Sequence, residues 1–393
     1  MRIAFLTTYP PTPCGIGEYT ALLIEGLKEQ CPRCSIHVYA DYYGKPHRPY
    51  MDERGALVIP CHARSRPSYK RILRALREGV KEHGKYDVLH IQHEYGLHPR
   101  SEALIEFVEN ARKYADKIAV TLHSVYHSLM GHEYTWFQKR VSALADLIVI
   151  HSPVQEFELW SQGIGLDNVA MIPHGTLFNP YTKRPRKELL AKIGVKGIGD
   201  DDVIVTTPGF LRWDKGLDLL VDAALRLRAR ERRFKILIAG DVQKKKHLPL
   251  VRSVIETVRK LESIAILLKK RLRRDELLGV LAASDIVVLP YREKKGLFSV
   301  SGILHLAMGS RKPLVVTRIP RLFEYYYLVP SLAAPENNTA MIAERIDRLL
   351  RGTIDVKDVV EKVWNYAVAT SWSHVAEMHL EAYSNTGYVY PEL

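Results

Sequence analysis

Cations before a helix, glycines after a strand and a histidine at a strand end are the groups in this 393-residue chain that could do chemistry. In TPGFLRWDKGLDLLVDA, Arg212 and Lys215 precede a helix expected to begin at Gly216. The first N–H groups of a helix lack intrahelical partners and attract anions, and two cations add to that attraction. In FSVSGILHLAMGSRKP, Ser299, Ser301 and Gly302 fall at the start of a second expected helix. Ser301 suits the capping position, and Gly302 lets a ligand approach the backbone. Either motif alone reads as ordinary capping with exposed charge. Together they point to a nucleotide diphosphate.

A second constellation lies near the start. Gly15-Ile16-Gly17 follows the strand Ile3–Thr7, in TTYPPTPCGIGEYTALL, before a helix expected from about Glu18. It begins like G-x-G-x-x-G, but Thr20 stands at the third glycine position and three prolines precede the pair. The nearest strand-end acid is Asp41. A dinucleotide fingerprint wants the third glycine and an acid about 20 residues on, so the match to a dinucleotide site is poor. His123 closes the strand IAVTLH, and His93 and Glu94 close the strand before it. Strand C-termini are where open α/β sheets bind ligands.

These residues need a frame to hold them. Strands are expected at Ile3–Thr7, Ile36–Ala40, Val88–Gln92, Ile118–His123, Leu147–His151 and Val169–Ile172, with helices between most of them. Their near-continuous apolar character fits strands covered on both faces. PHGTLFNPYTKRPR, from Pro173 to Arg186, interrupts the rhythm and reads as a linker. The alternation then resumes with strands at Val203–Thr207, Lys235–Gly240, Ile264–Leu268, Ile286–Pro290 and Leu314–Thr317. Helices are expected near Gly216–Arg230, Leu248–Leu261, Asp275–Ala283 and Ser301–Met308. Two successive βαβ series give an α/β protein of two Rossmann-like parallel-sheet domains, expected to face one another across a cleft.

Net charge is +13, which suits an anionic partner such as a nucleotide phosphate or an acidic membrane face. No aromatic–basic interleaving supports nucleic acid, and none is expected as a partner. Scarce Asn and Gln beside abundant Arg, Lys and Glu also fit a thermophile's surface. No run of 18 apolar residues suggests a membrane span, and Met1-Arg2-Ile3-Ala4 enters a strand without a signal-peptide layout. A cytoplasmic location is expected, with the inner membrane surface as an extension of it. Cys31 and Cys34 lead into one strand while Cys61 follows another, Leu57–Ile59. Parallel strands would put the two groups at opposite ends of the sheet, so zinc is not expected and a local disulfide or inert thiols are.

The chain resembles the retaining glycosyltransferases of family 4, which have the GT-B architecture. The resemblance runs nearly end to end, through YPPTPCGIGEYT, DVLHIQHEYG, VTLHSV, ADLIVIHS, NVAMIPHG, GFLRWDKGLDLLVDA, ASDIVVLPY and SWSHVAEMHLEAY. It implies an acceptor-side domain at 1–173 completed by a C-terminal segment at 366–393, and a nucleotide-sugar-binding domain at 174–365. It implies that Gly15, Gly17 and Gly209 face the donor, that His123 meets the donor sugar, and that His93 and Glu94 line the acceptor side. Arg212 and Lys215 would stabilise the leaving diphosphate. No metal and no cofactor are implied beyond the nucleotide sugar as co-substrate. The donor would be GDP-mannose or UDP-glucose, and the acceptor a saccharide, polyol or lipid.

Two positions depart from the family. Its paired glutamates, eight positions apart, fall here at Phe298 and Leu306, neither of which can accept a hydrogen bond. Where many members have Arg after the glycine corresponding to Gly209, this chain has Phe210, with Arg212 two residues on. The sequence resembles a subset that also lacks the second glutamate. Ribose recognition then falls to other groups, with Glu293 and Glu324 as candidates. The missing glutamates also motivate a second reading, a catalytically silent protein that binds sugar or nucleotide on the same scaffold. Finally, RPSYKRILRALREGVKEHGK, residues 66 to 85, reads as a basic amphipathic helix. Its apolar stripe either covers the sheet or rests on an anionic membrane.

Overall fold

The computed structural model describes residues 1–64, 66–228, 234–242, 247–261 and 264–384. Residues 229–230 of the expected helix and 385–393 of the expected C-terminal segment lie outside these. In chain order the first part contains β1 (Arg2–Thr7), α1 (Gly15–Gln30), β2 (Ser35–Asp41), β3 (Tyr50–Met51), β4 (Leu57–His62), α2 (Tyr69–His83) and β5 (Tyr86–His93). It continues through α3 (Glu102–Ala111), β6 (Ala115–Leu122), β7 (Ser124–Tyr126), α4 (His132–Leu144), β8 (Leu147–Ile150), α5 (Pro153–Ser161) and β9 (Val169–Met171). Then come α6 (Arg186–Ile193), β10 (Val203–Pro208), α7 (Leu217–Arg228), β11 (Phe234–Gly240), α8 (Leu248–Lys260), β12 (Ala265–Lys269), α9 (Arg274–Ala283) and β13 (Ile286–Leu289). The last part is β14 (Leu297–Ser299), α10 (Gly302–Met308), β15 (Leu314–Thr317), α11 (Phe323–Leu328), β16 (Ala333–Ala334), α12 (Thr339–Leu350), α13 (Val356–Ala369) and α14 (Trp372–Ser384).

These elements form two compact units, one of Met1–Gly175, Lys295–Val300 and Thr370–Leu393, the other of Thr176–Lys294 and Ser301–Ala369. The first unit is built on an eight-stranded sheet in the order β3-β4-β2-β1-β5-β6-β8-β9. Every pairing in it is parallel except the short β3–β4 edge. The second unit has a six-stranded parallel sheet in the order β12-β11-β10-β13-β15-β16. In each sheet the chain winds outward from its first strand, returns and winds the other way. The strand order therefore reverses between β1 and β5 in one unit and between β10 and β13 in the other. Loops leaving the C-terminal ends of those two pairs diverge and open a crevice, the usual ligand position in such sheets.

The apolar strands account for this arrangement. Phe5 and Leu6 in β1, Leu89 and Ile91 in β5, Val205 in β10 and Val288 in β13 are all buried, because helices cover both faces of each sheet. Where the chain returns to the first unit at 295–300, β14 pairs antiparallel with β7, Ser299 opposite Ser124. The strand pattern does not announce that return. It moves Ser299 off the start of the following helix, where the sequence placed it. α14 lies on α1 and the sheet beneath it. Gln30 donates to Ser373 at 2.6 Å, and Tyr383 and His90 share a hydrogen bond of 2.6 Å. Cys31 and Cys34 form a disulfide just after α1, while Cys61 is buried within β4. Among the described residues no helix is long and apolar enough to cross a membrane, and no cluster of His, Cys, Asp and Glu could hold a metal ion.

Candidate active site

In the first unit the loop after β1 is fastened from outside. Thr12 donates its hydroxyl to the Asp41 carboxylate at 2.8 Å, and the Tyr9 amide donates to the same group at 3.2 Å. Lys45 completes the set, 3.1 Å from Asp41 and 2.7 Å from the Thr12 hydroxyl, with both charged side chains fully buried. Burial pulls the Lys45 pKa down and Asp41 opposes it. Asp41 is thus committed within the protein and has no oxygen to spare for a dinucleotide ribose. α1 begins at Gly15, three residues before the expected start, because Glu18 already donates its amide to the Cys14 carbonyl. The two glycines differ. A Cβ on Gly15 would meet nothing within 4 Å, whereas one on Gly17 would stand 3.0 Å from the Thr8 carbonyl oxygen. Gly17 packs the helix onto its own loop, and Gly15 is the glycine with room beside it.

His123 follows β6 directly and is 7% exposed. Its Nε2 lies 2.8 Å from Gln92 Oε1 and its Nδ1 3.3 Å from His151 Nε2. Burial, then His151 and His174, hold the ring well below its usual pKa, so it is neutral at physiological pH. The Tyr19 ring of α1 lies edge-on to it at 4.8 Å. The helix that carries the glycines therefore also packs against this imidazole. His93 turns inward: it is fully buried, donates from Nε2 to the His98 carbonyl at 3.1 Å and stacks on Phe137. Burial lowers its pKa to about 3. Glu94 stays half-exposed and accepts from Ser124 at 2.7 Å, next to the β7–β14 pair that carries Ser299.

In the second unit Gly209 leaves β10 with a φ of 116°, in the region that favours glycine, and Arg212 follows in extended backbone. The expected helix start is displaced. Trp213–Lys215 form a single 3-10 turn, Gly216 is left-handed at φ 60°, and α7 begins at Leu217. A Cβ at Gly216 would stand 1.9 Å from the Pro290 carbonyl oxygen, so the turn closes on the end of β13 only with glycine there. This turn buries Asp214, and cations converge on it. Arg212 donates to Asp214 Oδ2 at 2.6 Å, Arg321 donates to the same oxygen at 3.1 Å, and Lys294 Nζ lies 3.9 Å away. Burial works against ionising Asp214, but Arg212, Lys215, Lys294 and Arg321 outweigh it and hold the carboxyl down to about 2. Lys215 is 8% exposed, with Nζ 3.6 Å from the centre of the Tyr291 ring. Burial first, then Arg321 and Arg212, push its pKa well below the usual value. Among the described residues Arg212, Arg321 and Lys294 thus lie within 4 Å of one Asp214 oxygen, and Lys215 adds to its field from over the Tyr291 ring.

Ser301 caps α10 as expected, accepting from the Leu304 amide at 3.4 Å, and Gly302 is the first residue of that seven-residue helix. Glu293, in the loop after β13, is half-exposed, and its amide donates to Glu336 at 3.0 Å. Glu324 is turned into the protein. His305 Nε2 and the Tyr366 hydroxyl both lie 3.1 Å from its Oε1, and its Oε2 is buried. The carboxylate ties α11 to α10 and α13 and leaves no oxygen at the surface. Leu306 packs half-buried against the core, so no acceptor replaces the missing glutamate at that position.

Each unit thus gathers its own set. Gly15, His123, Glu94 and Ser299 lie along the β1, β5 and β6 ends of one sheet; Gly209, Arg212, Lys215 and Glu293 lie at the β10 and β13 ends of the other. The sequence reading missed Asp214, Arg321 and Lys294 around the cations, Lys45 behind the loop, and His151 beside His123. Arg321 follows the end of β15 and His151 the end of β8, positions that a rule of strand-end residues would have recovered. Lys45 carries no such signal, since it stands in a loop among other polar residues.

The sequence matches the family described as Glycosyltransferase Family 4 over residues 13–176 and the family described as Glycosyl transferases group 1 over residues 202–352. No curated protein matches it in sequence. Among solved structures, a glycosyltransferase from Rickettsia africae aligns with a TM-score of 0.76 at 16% identity, covering 98% of each chain. Sucrose-phosphate synthase from Thermosynechococcus elongatus aligns at 0.74 and 15% identity, again over 98% of each chain. HepE from Anabaena in complex with UDP-glucose aligns at 0.74 and 16% identity, over 98% of this chain and 99% of that one. At such identities the likeness is one of fold.

Proposed function

We propose, from the premise that this chain is a glycosyltransferase of the GT-B type, that it moves a hexose from a nucleotide diphosphate sugar to an acceptor hydroxyl with retention of configuration. The observation that carries this reading is the convergence of Arg212, Arg321 and Lys294 on the carboxylate of Asp214 at the β10–β13 switch point, with Lys215 buried beside them. Such a concentration of positive charge suits an anion. A diphosphate fits it, and its negative charge grows as the sugar leaves. The sugar C1–O bond breaks toward the diphosphate, the acceptor oxygen bonds C1 from the same face, and the acceptor proton passes to a leaving phosphate oxygen. The cations do the neutralising work that a divalent metal does elsewhere, so turnover without added metal is expected.

His123 takes the sugar-facing role, Gly15 and Gly209 give backbone access to the donor, Ser299, Ser301 and Gly302 border the sugar and phosphates, and Glu94 serves the acceptor. The ribose is assigned to Glu293, which is half-exposed in the loop after β13. UDP-glucose, present in the HepE structure, is the first donor to test, and GDP-mannose the second. Acceptors to test span saccharides, polyols and lipids. The experiment is release of the nucleoside diphosphate and formation of glycosylated product from each donor, without metal and with EDTA. The second reading, a silent binder, is favoured by Leu306 and Phe298 at the family's glutamate positions. Nucleotide-sugar binding without release, over long incubation and with all acceptors, would establish it.

A further inference from the structure

We propose that His151 is a positioning residue that fixes the tautomer of His123 and leaves His123 Nε2 as the accepting nitrogen. The consequence for turnover rests on the sugar-facing role given to His123 above; the tautomer itself does not. His151 Nδ1 lies 2.9 Å from the Ile172 carbonyl oxygen. A carbonyl only accepts, so the proton of His151 sits on Nδ1. In the neutral ring Nε2 is then a lone-pair atom, and it faces His123 Nδ1 at 3.3 Å. His123 must donate from Nδ1 into it. Its single proton is thereby used, and Nε2 accepts.

The partner on that side permits this in one of its two orientations. Gln92 lies 2.8 Å from His123 Nε2, and the Gln92 NH2 group is buried with no hydrogen-bond partner. The two ends of an amide are assigned by their hydrogen bonds. Turning the Gln92 amide presents its NH2 to Nε2 and closes the series from Gln92 through His123 and His151 to Ile172. The opposite assignment, His123 Nε2–H donating to Gln92 Oε1, needs a proton on both nitrogens of His151. That would be a cation in a residue only 2% exposed, flanked by imidazoles. Tyr19 holds both rings in place, its centroid 4.8 Å from that of His123 and 5.3 Å from that of His151. An accepting Nε2 is matched to a sugar hydroxyl, which would take the place of the Gln92 NH2.

The test is nitrogen-15 NMR of the full chain labelled at histidine, with turnover of UDP-glucose measured in parallel. His123 is expected in the Nδ1–H form in the unmodified protein, shifting toward Nε2–H in His151→Phe and returning in His151→Gln, which keeps an amide near the lost ring nitrogen. With one hydrogen bond lost at the reacting sugar, His151→Phe should lower kcat by roughly tenfold with donor KM within about twofold, and His151→Gln should recover most of it. A merely structural role would lower thermal stability and leave the His123 tautomer unchanged, which overturns the proposal. So does an Nε2–H His123 in the unmodified protein, which can be read whether or not either variant folds. If no nucleotide sugar is turned over even by the unmodified chain, the functional reading fails, while the tautomer still decides the proposal.

Discussion

Lys215 directs its amine nitrogen onto the face of Tyr291, 3.6 Å from the ring centre, beside the guanidinium groups of Arg212 and Arg321 and the carboxylate of Asp214. The aromatic face offers partial compensation for lost hydration. Burial and the neighbouring guanidinium groups still hold the lysine well below its usual pKa. A bound diphosphate would reverse the local balance of charge and raise that pKa. Binding is therefore expected to take up a proton at any pH between the lowered value and the raised one. Affinity for the nucleoside diphosphate should fall as pH rises through that window. Calorimetry in two buffers of different ionisation enthalpy measures the uptake. Equal heats in both buffers across pH 6 to 9 would mean that Lys215 does not change protonation.

Arg212 and Arg321 meet on one oxygen of Asp214, and both are expected to contact the diphosphate. A charge-assisted hydrogen bond is worth about 1.5–3 kcal/mol, so Arg212→Ala and Arg321→Ala should each lower turnover by at least about tenfold. Lys215→Ala should do the same. Asp214→Ala is expected to behave differently, because it leaves the cations without a counter-charge; lowered thermal stability should accompany any loss of activity. Steady-state rates and melting curves for the four variants separate these outcomes. Near-normal rates in both arginine variants would remove them from the phosphate site.

The frame of the molecule was largely legible because burial on both faces leaves a plain apolar signature in strands such as Phe5-Leu6 and Val287-Val288. Short strands gave no such signature. β14 is three residues, half-exposed, and its pairing with β7 joins residues 171 positions or more apart. Arg212 and Lys215 were legible as cations beside a helix start, but their arrangement was not. The left-handed turn at Gly216 tightens the chain into a 3-10 turn and points Asp214 inward. Glu324 shows the limit in the other direction. Its sequence position does not show that it is buried, and only packing reveals that His305 and Tyr366 meet one of its oxygens inside the protein.

Leu306 offers a direct probe of the missing glutamate. It is half-buried against the core of the second unit, on the same short helix as His305. Leu306→Glu would place a carboxylate partly out of water, where ionisation is disfavoured unless a partner is found. The expected outcome is lower thermal stability with no gain in nucleotide affinity, since the ribose is assigned to Glu293. Glu293→Gln, by contrast, should weaken donor binding without affecting stability. Titration of both variants with UDP and UDP-glucose checks this. Tighter binding by Leu306→Glu would mean that the ribose position is vacant in this chain and Glu293 does not fill it.

The last prediction concerns α2. Ile72 and Leu76 are fully buried in the first unit's core, so the apolar stripe of this helix covers the sheet and is not available to enter a bilayer. Lys70, Arg71, Arg74, Arg77 and Lys81 remain exposed on the other side. Any membrane contact through this face must then be electrostatic. A cation near an anionic surface contributes about 1 kcal/mol, and the attraction falls off over a Debye length, about 10 Å at 0.1 M salt. Vesicles containing anionic lipid are expected to bind the protein at low salt and release it at high salt, while neutral vesicles bind nothing. Arg74→Glu with Arg77→Glu should weaken the low-salt binding by at least roughly thirtyfold, the equivalent of about 2 kcal/mol. Sedimentation with the two vesicle types at two salt concentrations measures this. Binding that persists at high salt would mean apolar insertion by another part of the chain. Absence of binding at low salt would leave the basic face as a solvated one and direct the acceptor search to soluble saccharides and polyols.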